Sequence, residues 1–457
     1  MKIHFIGIGG IGVSALAQYY LSKGHIVSGS DLASSEIIEF LKEKGIKVII
    51  GPHSENNLSK DADLVIYSPA VKQDNPEYKK AKELNIRLQS YPQALGTLTK
   101  EYFTIAISGT HGKSTTTSML ALVLTKAGFD PTVIVGTKIK EFGNTNFRVG
   151  KSKILVIEAD EHFASFLNYW PKIIVLTNIE KEHLDYYKNL NNITRTYKEY
   201  LSHLGEEGIL IANKEDKNVF RIAKKGKHEV VFYSIKQKEA KKIKRILKVP
   251  GKHNVYNSLA VLTVARILGA PDKMSFKALS EYKGSWRRFD IKIGHADKKV
   301  ITVISDYGHH PTEILTTLKA TREKYPKKKI WCVFQPHQHQ RTYYLFNDFV
   351  KVFSSVPIDN IVITDIFDVA GREIKKINAE VSSEKLVQKI HPHTKRDIGD
   401  EKVDGKNESR YGVGVNKKNI IYLPMGDIEK YIKDNIKSKE VLIIMGAGDI
   451  YKLADKF

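Results

Sequence analysis

Short apolar runs alternate with amphipathic segments along most of this chain, the pattern of parallel sheets covered by helices. The first unit predicts a strand over 2–8, a glycine turn, a helix from Ser14 to Lys23 and a strand over 25–29 running out at Asp31. Further strands are expected at 46–50 and 63–67. A second start follows at Tyr102–Ser108, again strand, glycine turn and helix. That helix runs from Ser114 to Ala127, with Gly128 as its C-terminal cap. Strands are then expected at 153–158, 172–177 and 208–212. A third start follows Trp286-Arg287-Arg288-Phe289, with strands at 300–305, 329–334, 360–364 and 441–445. Three separate starts predict three α/β domains, over 1–98, 99–285 and 286–457. Residues 393–418, polar and rich in charge and glycine, read as a long surface loop or insertion.

Composition narrows the class. The length of 457 residues suits two or three domains, and 42% hydrophobic with 27% charged residues excludes wholesale disorder. A single cysteine, Cys332, rules out an internal disulfide framework and fits a reducing compartment. The sequence opens directly into a strand, and no stretch approaches the length of a membrane-spanning helix, so a cytoplasmic protein is expected. The formal charge of +22 raises nucleic acid or an anionic membrane as partners. The lysines are dispersed, apart from clusters at Lys236–Lys248 and Lys327–Lys329, and no zinc-finger spacing or aromatic RNA-binding signature accompanies them. A solvated basic surface is the expectation, with neither nucleic acid nor membrane as partner.

The first turn, Gly7-Ile8-Gly9-Gly10-Ile11-Gly12, fits GxGxxG between a strand and a helix, with Asp31 closing the next strand. Glycines let backbone amides approach a diphosphate at a helix N-terminus. A nicotinamide dinucleotide is the obvious ligand, but any nucleotide diphosphate satisfies the same physics. The second turn, Ser108-Gly109-Thr110-His111-Gly112-Lys113-Ser114-Thr115, lacks the first glycine of a standard phosphate loop, since Ile107 stands there. Its amides can still surround phosphate oxygens, Lys113 can reach the β and γ positions, and Ser114 can ligate Mg²⁺. A hard cation needs carboxylates nearby, and Glu158, Asp160 and Glu161 end the next strand. Asn178 and His183 follow another strand end, where His183 is either a second metal ligand or a packed histidine.

Further along, His253 or Asn254 could cap the helix that follows Pro250-Gly251, while Asn254 and Asn257 share one helical face and could read a base edge. Arg287 and Arg288 could clamp phosphates from another domain. Polar loops at Asp306–Glu313 and Gln335–Thr342 follow two neighbouring strands and suggest a pocket in the third domain.

Taken together these motifs resemble the Mur ligase family, and the resemblance covers almost the whole chain. Its carriers are Gly7–Gly12 with Ser14-Ala15, Ser68-Pro69-Ala70, Asn75-Pro76-Glu77, Gly109–Thr117, Glu158–Glu161 and Asn178–Asp185. They continue through Pro250–Asn257, Arg287-Arg288-Phe289, Asp306–Glu313, Gln335–Thr342 and Gly446–Asp449. The resemblance implies a Rossmann-like N-terminal domain, a central P-loop ATPase-type parallel-sheet domain and a C-terminal Rossmann-like α/β domain. It implies an ATP-dependent ligase joining L-alanine to the lactyl carboxylate of UDP-N-acetylmuramate through an acyl phosphate, as a monomer or weak homodimer. The rival within the family joins a recycled tripeptide to the same sugar nucleotide; outside it stand an NAD-dependent dehydrogenase and a nucleic-acid-binding ATPase.

Residue by residue, the resemblance gives Gly9, Gly10, Gly12, Asp31 and Ser68 to the UDP-sugar. Gly109, Thr110, His111, Gly112, Lys113, Ser114, Thr115 and Asn178 go to the ATP phosphates, and Ser114, Glu158 and His183 to two Mg²⁺ ions. His253, Asn254 and Asn257 would meet adenine, Asp306 the ribose or the lysine-rich phosphate region, and Arg288 the phosphates. Tyr307, His309 and Arg341 would line the alanine pocket, and Lys113, Glu158, His183, Arg288 and His309 would carry the catalysis. The chain departs from the family pattern at His162-Phe163, where Ser-Asp is usual, at Val135-Gly136-Thr137, where a Gly-Gly pair is usual, and at Gln338, where an arginine is expected.

Overall fold

The computed structural model describes residues 1–368, 375–390 and 419–457. The predicted loop over 393–418 lies outside the described residues. The chain divides into two compact units, one of Met1–Glu182 with Tyr186–Trp286 and one of His183–Asp185 with Arg287–Phe457. The first carries two sheets and the second carries one.

The first sheet contains β1 (Lys2–Ile6), β2 (Ile26–Asp31), β3 (Lys47–Ile50), β4 (Leu64–Tyr67) and β5 (Arg87–Ser90). Its order is β3-β2-β1-β4-β5, with every pair parallel. Strand order reverses between β1 and β4, so the carboxyl ends of these two strands form the crevice in which open α/β sheets bind ligands. The second sheet contains β6 (Phe103–Ser108), β7 (Thr132–Ile139), β8 (Thr145–Arg148), β9 (Ile154–Glu158), β10 (Ile173–Leu176), β11 (Ile209–Asn213) and β12 (Glu229–Tyr233). They run in the order β12-β11-β10-β6-β9-β7-β8, and β8 alone among them is antiparallel to its neighbour.

The third sheet, in the second unit, contains β13 (Asp290–Ala296), β14 (Lys299–Asp306), β15 (Ile330–Phe334), β16 (Asn360–Ile363), β17 (Asn419–Tyr422) and β18 (Val441–Met445). Its order is β13-β14-β18-β15-β16-β17, parallel except for the edge strand β13.

Strands covered on both faces lose the in–out alternation and become continuously apolar. β10, β15 and β18 are buried at every position. In the second sheet the helices Lys113–Lys126 and Lys252–Ile267 pack over one face, closing Met119, Leu120, Val123, Val261 and Val264 onto Ile105, Val156 and Val175. Each such side chain contributes roughly 1.5–3 kcal/mol by leaving water. This packing holds the phosphate-loop helix in place.

Six strands escape the hydrophobic pattern: β5, β7, β8, β12, β13 and β17. β5 (RLQS) and β8 (TNFR) are short, polar sheet edges. Gly136 and Lys138 interrupt β7, and β13 turns Ile293 outward, 78% exposed. The first helix begins at Ile11 rather than Ser14, because the last residues of the glycine turn already have helical geometry. Among the described residues no helix is long and apolar enough to cross a membrane.

Candidate active site

The first glycine turn links β1 to the helix Ile11–Ser22. Gly10 caps that helix without a side-chain acceptor, which leaves its first amides available to an anion. The turn is pinned from below, since Gly7 and Ile8 donate their N–H groups to the Ser30 carbonyl at 2.9 and 3.1 Å. Asp31 is consumed locally: Oδ2 accepts from the Gly9 N–H at 2.8 Å and Oδ1 from the Leu32 N–H at 2.8 Å. A dinucleotide enzyme uses that carboxylate for the ribose hydroxyls, so the nicotinamide reading loses its partner. Gly9, Gly10, Gly12, Asp31 and Ser68 do come together, since a Cβ on Gly7 would stand 3.0 Å from that of Ser68.

Beneath the turn lies a buried carboxylate absent from the candidate list. Glu77 Oε2 accepts from Ser30 Oγ at 2.7 Å and stands 2.9 Å from His4 Nε2. Glu77 Oε1 accepts from Asn57 Nδ2 at 2.9 Å and stands 2.7 Å from His53 Nδ1. Burial alone would raise this carboxyl, but the donors of His4, Asn57, Ser30 and His53 outweigh it and bring it down to about 2. The Asn75-Pro76-Glu77 motif therefore fixes the floor of the turn rather than touching a ligand.

The second turn sits at the carboxyl ends of β6, β9 and β10. Gly109 lies at φ +126, and a Cβ there would stand 2.1 Å from Thr177 Oγ1 and 3.0 Å from the Asn178 nitrogen. Gly112, at φ 83, caps the helix Lys113–Lys126 with no side-chain acceptor, again leaving open amides. Lys113 Nζ donates to the carbonyl of Gly109 at 2.8 Å and to Glu161 Oε2 at 2.8 Å, with Asp160 at 3.5 Å. Burial would lower the ammonium, but Glu161, Asp160 and Glu158 outweigh it, so Lys113 stays cationic. Ser114 Oγ donates to Glu158 Oε1 at 3.0 Å, and the Gly136 N–H donates to Glu158 Oε2 at 2.9 Å. Two hard oxygen donors thus converge beside the loop, the chemistry that suits Mg²⁺.

Several candidates support the loop from behind. Asn178 accepts the His111 N–H at 2.8 Å and donates back to the His111 carbonyl at 3.0 Å, so its amide clamps the loop backbone. Thr110 Oγ1 accepts from the Glu180 N–H at 2.9 Å. Thr115 occupies the first turn of the helix. Gly251, not His253 or Asn254, caps the helix Lys252–Ile267. Asn254 donates to the Pro250 carbonyl at 2.7 Å, and Asn257 abuts the phosphate loop, its Oδ1 2.7 Å from a Cβ on Gly112. At Phe163-Ala164 the backbone turns left-handed, with φ of 52 and 53, a strained pair two residues after Glu161.

The second unit holds the remaining candidates. Arg287 is buried and spent, donating to the carbonyls of Gly446 at 2.5 Å and Gly448 at 3.0 Å. Arg288 lies over the Tyr307 ring at 4.7 Å. Asp306 is buried, its carboxylate accepting the Phe289 N–H at 2.9 Å, the Gly308 N–H at 2.9 Å and Thr317 Oγ1 at 3.2 Å. It braces the loop. Tyr307 meets His309 edge to face, with centroids 5.3 Å apart, and His309 lies tilted against His337 at 5.9 Å. Arg341 donates to Gln338 Oε1 at 3.2 Å and to the His337 carbonyl at 3.2 Å. His183 belongs to this unit, where its neighbour Leu184 packs on the apolar core.

One participant carried no sequence signal beyond its position. Tyr91 opens the helix Tyr91–Glu101, and its hydroxyl would stand 2.6 Å from a Cβ on Gly12.

Comparison with known proteins agrees with this geometry. Residues 2–103 match the family model described as Mur ligase family, catalytic domain, residues 107–265 the Mur ligase middle domain, and residues 287–448 the Mur ligase, glutamate ligase domain. The chain is 41% identical to a UDP-N-acetylmuramate–L-alanine ligase of Clostridium botulinum, covering 100% of this chain and 97% of that one. It is 38% identical to the enzyme of that name from Caldanaerobacter subterraneus, with the same coverage of 100% and 97%. Among solved structures, the UDP-N-acetylmuramate-alanine ligase of Thermotoga maritima aligns with a TM-score of 0.76 at 29% identity, over 100% of this chain and 98% of that one.

Proposed function

This chain belongs to the Mur ligase family, and from that premise we propose that it joins L-alanine to the lactyl carboxylate of UDP-N-acetylmuramate at the expense of ATP. The observation that carries the reading is the convergence of Lys113, Ser114 and Glu158 on an uncapped helix N-terminus, within a chain 38–41% identical over its full length to ligases of that name.

The chemistry follows from the substrates. A carboxylate is a poor electrophile, so the γ-phosphoryl of ATP is transferred to it and gives an acyl phosphate. The amine of L-alanine then attacks, and the tetrahedral species collapses to amide and phosphate. The protein positions the reactants and neutralises charge. Lys113, held cationic, neutralises the transferring phosphoryl group, and the uncapped amides after Gly112 bind the phosphate oxygens. Ser114 and Glu158 would hold Mg²⁺, which when bound would supply neutralisation of phosphate charge. The first glycine turn binds the UDP diphosphate. In the second unit Arg341 binds the alanine carboxylate, with the Gln338 amide beside it in the place of a second cation, and Tyr307 and His309 wall the pocket.

The test is phosphate release from ATP with Mg²⁺ and UDP-N-acetylmuramate, comparing L-alanine, glycine, L-serine and the recycled tripeptide. Release that requires both the sugar nucleotide and L-alanine is expected. Release with the tripeptide alone would move the chain to the recycling branch, and no release with any acceptor would overturn the reading.

A further inference from the structure

Tyr91 stands where the two glycine loops of the first unit face a common space. Its hydroxyl lies against Gly12, on the first turn of the helix that receives the diphosphate, at 2.6 Å from where a Cβ would be. The ring is also within electrostatic reach of Glu158 and Asp160, whose charges, after burial itself, keep the phenol well above its ordinary value. The hydroxyl is therefore a neutral donor at any working pH and not a base. Among the described residues it makes no hydrogen bond, although Ser90 and Gln93 around it form a complete capping box. Tyr91 is half-buried, so its hydroxyl stays within reach of a ligand acceptor at this turn.

The substrate has to bridge these two points. Its diphosphate is at the amides after Gly10, and its carboxylate has to reach the phosphoryl group beside Lys113, Ser114 and Glu158. What spans the interval is the sugar acid. We propose that the Tyr91 hydroxyl donates a hydrogen bond to the N-acetylmuramoyl portion of the UDP-sugar, orienting its lactyl carboxylate toward the phosphate loop. This role rests on the activity proposed above.

Tyr91→Phe removes the oxygen and keeps the ring, so packing against Gly12 survives. The experiment measures UDP-N-acetylmuramate and UDP binding by calorimetry, and initial rates with each substrate varied. The expected result is about a tenfold or greater loss of UDP-N-acetylmuramate affinity and a matching rise in its KM, as for a deleted hydrogen bond to a charged or strongly polar group. Affinity for UDP and the KM for ATP stay within about twofold, which also shows that the variant is folded. Equal losses for UDP and the UDP-sugar would place the hydroxyl at the diphosphate and overturn the role, as would unchanged affinity for both. Unaltered protein that binds neither nucleotide would instead refute the assigned activity, and this role with it.

Discussion

Replacing Glu77 by glutamine is a stringent test of the architecture beneath the sugar-nucleotide turn. The carboxylate accepts four donors, two on each oxygen. Glutamine is isosteric but turns one of those oxygens into an NH₂ group facing two donors. The charged form is favoured in the folded state, since the carboxyl falls from 4.5 to about 2, which corresponds to about 3 kcal/mol of stability at pH 7.

The sign follows from linkage. A group with a depressed folded pKa contributes stability above its unfolded value of 4.5 and loses it as pH falls toward about 2. Near pH 3.5 about 2 kcal/mol of it remains. Thermal unfolding of Glu77→Gln at pH 7 is therefore expected about 5–10 °C below the unaltered protein. The gap should narrow progressively below pH 4.5, where a protonated Glu77 comes to resemble the amide. The KM for the UDP-sugar should rise as well, because Ser30 both bonds Glu77 and carries the carbonyl that pins Gly7 and Ile8. Equal melting temperatures at pH 7, or a gap that stays constant from pH 7 to 3.5, would refute the reasoning.

Three further outcomes are expected. Gly109→Ala places a methyl group 2.1 Å from Thr177 Oγ1 at a left-handed φ of +126, so the loop must shift; initial rates should show the ATP KM rising at least about tenfold, with UDP binding by calorimetry unaffected. Ser114→Ala removes one oxygen of the Ser114–Glu158 pair and should lower activity about 10–100-fold while raising the Mg²⁺ needed for half-maximal rate, read from a magnesium titration. Arg341→Ala should raise the L-alanine KM about 10–100-fold with the ATP KM unchanged, as for loss of a charge-assisted bond to a carboxylate.

How much was legible in the chain can be judged from particular residues. Both glycine turns, the helix behind Lys113 and the carboxylates after β9 were readable, because tight turns and apolar periodicity are local properties. The same signals do not show what Asn178, Asn254 and Asp306 touch within the fold. Each is polar and sits beside a motif, yet each spends its side chain on nearby backbone. A sequence shows that a polar group is present, and not whether a buried peptide has already claimed it. Glu77 and Tyr91 illustrate the converse. Glu77 finds its partners 20 to 73 residues away, and Tyr91 meets a glycine 79 positions earlier only because helix and turn share one crevice.

By itself, then, the sequence determined the three strand–turn–helix starts, the two glycine turns and the family, since these depend on residues close together along the chain and on their order. The tertiary structure alone decided which oxygens remain for substrates and which are consumed: Asp31 turned inward to Gly9, Lys113 held by Glu161, Ser114 set against Glu158. Those outcomes depend on distances between strand ends, and sheet order, with β6 between β10 and β9 and β1 between β2 and β4, sets those distances through the burial of apolar strands far apart in sequence.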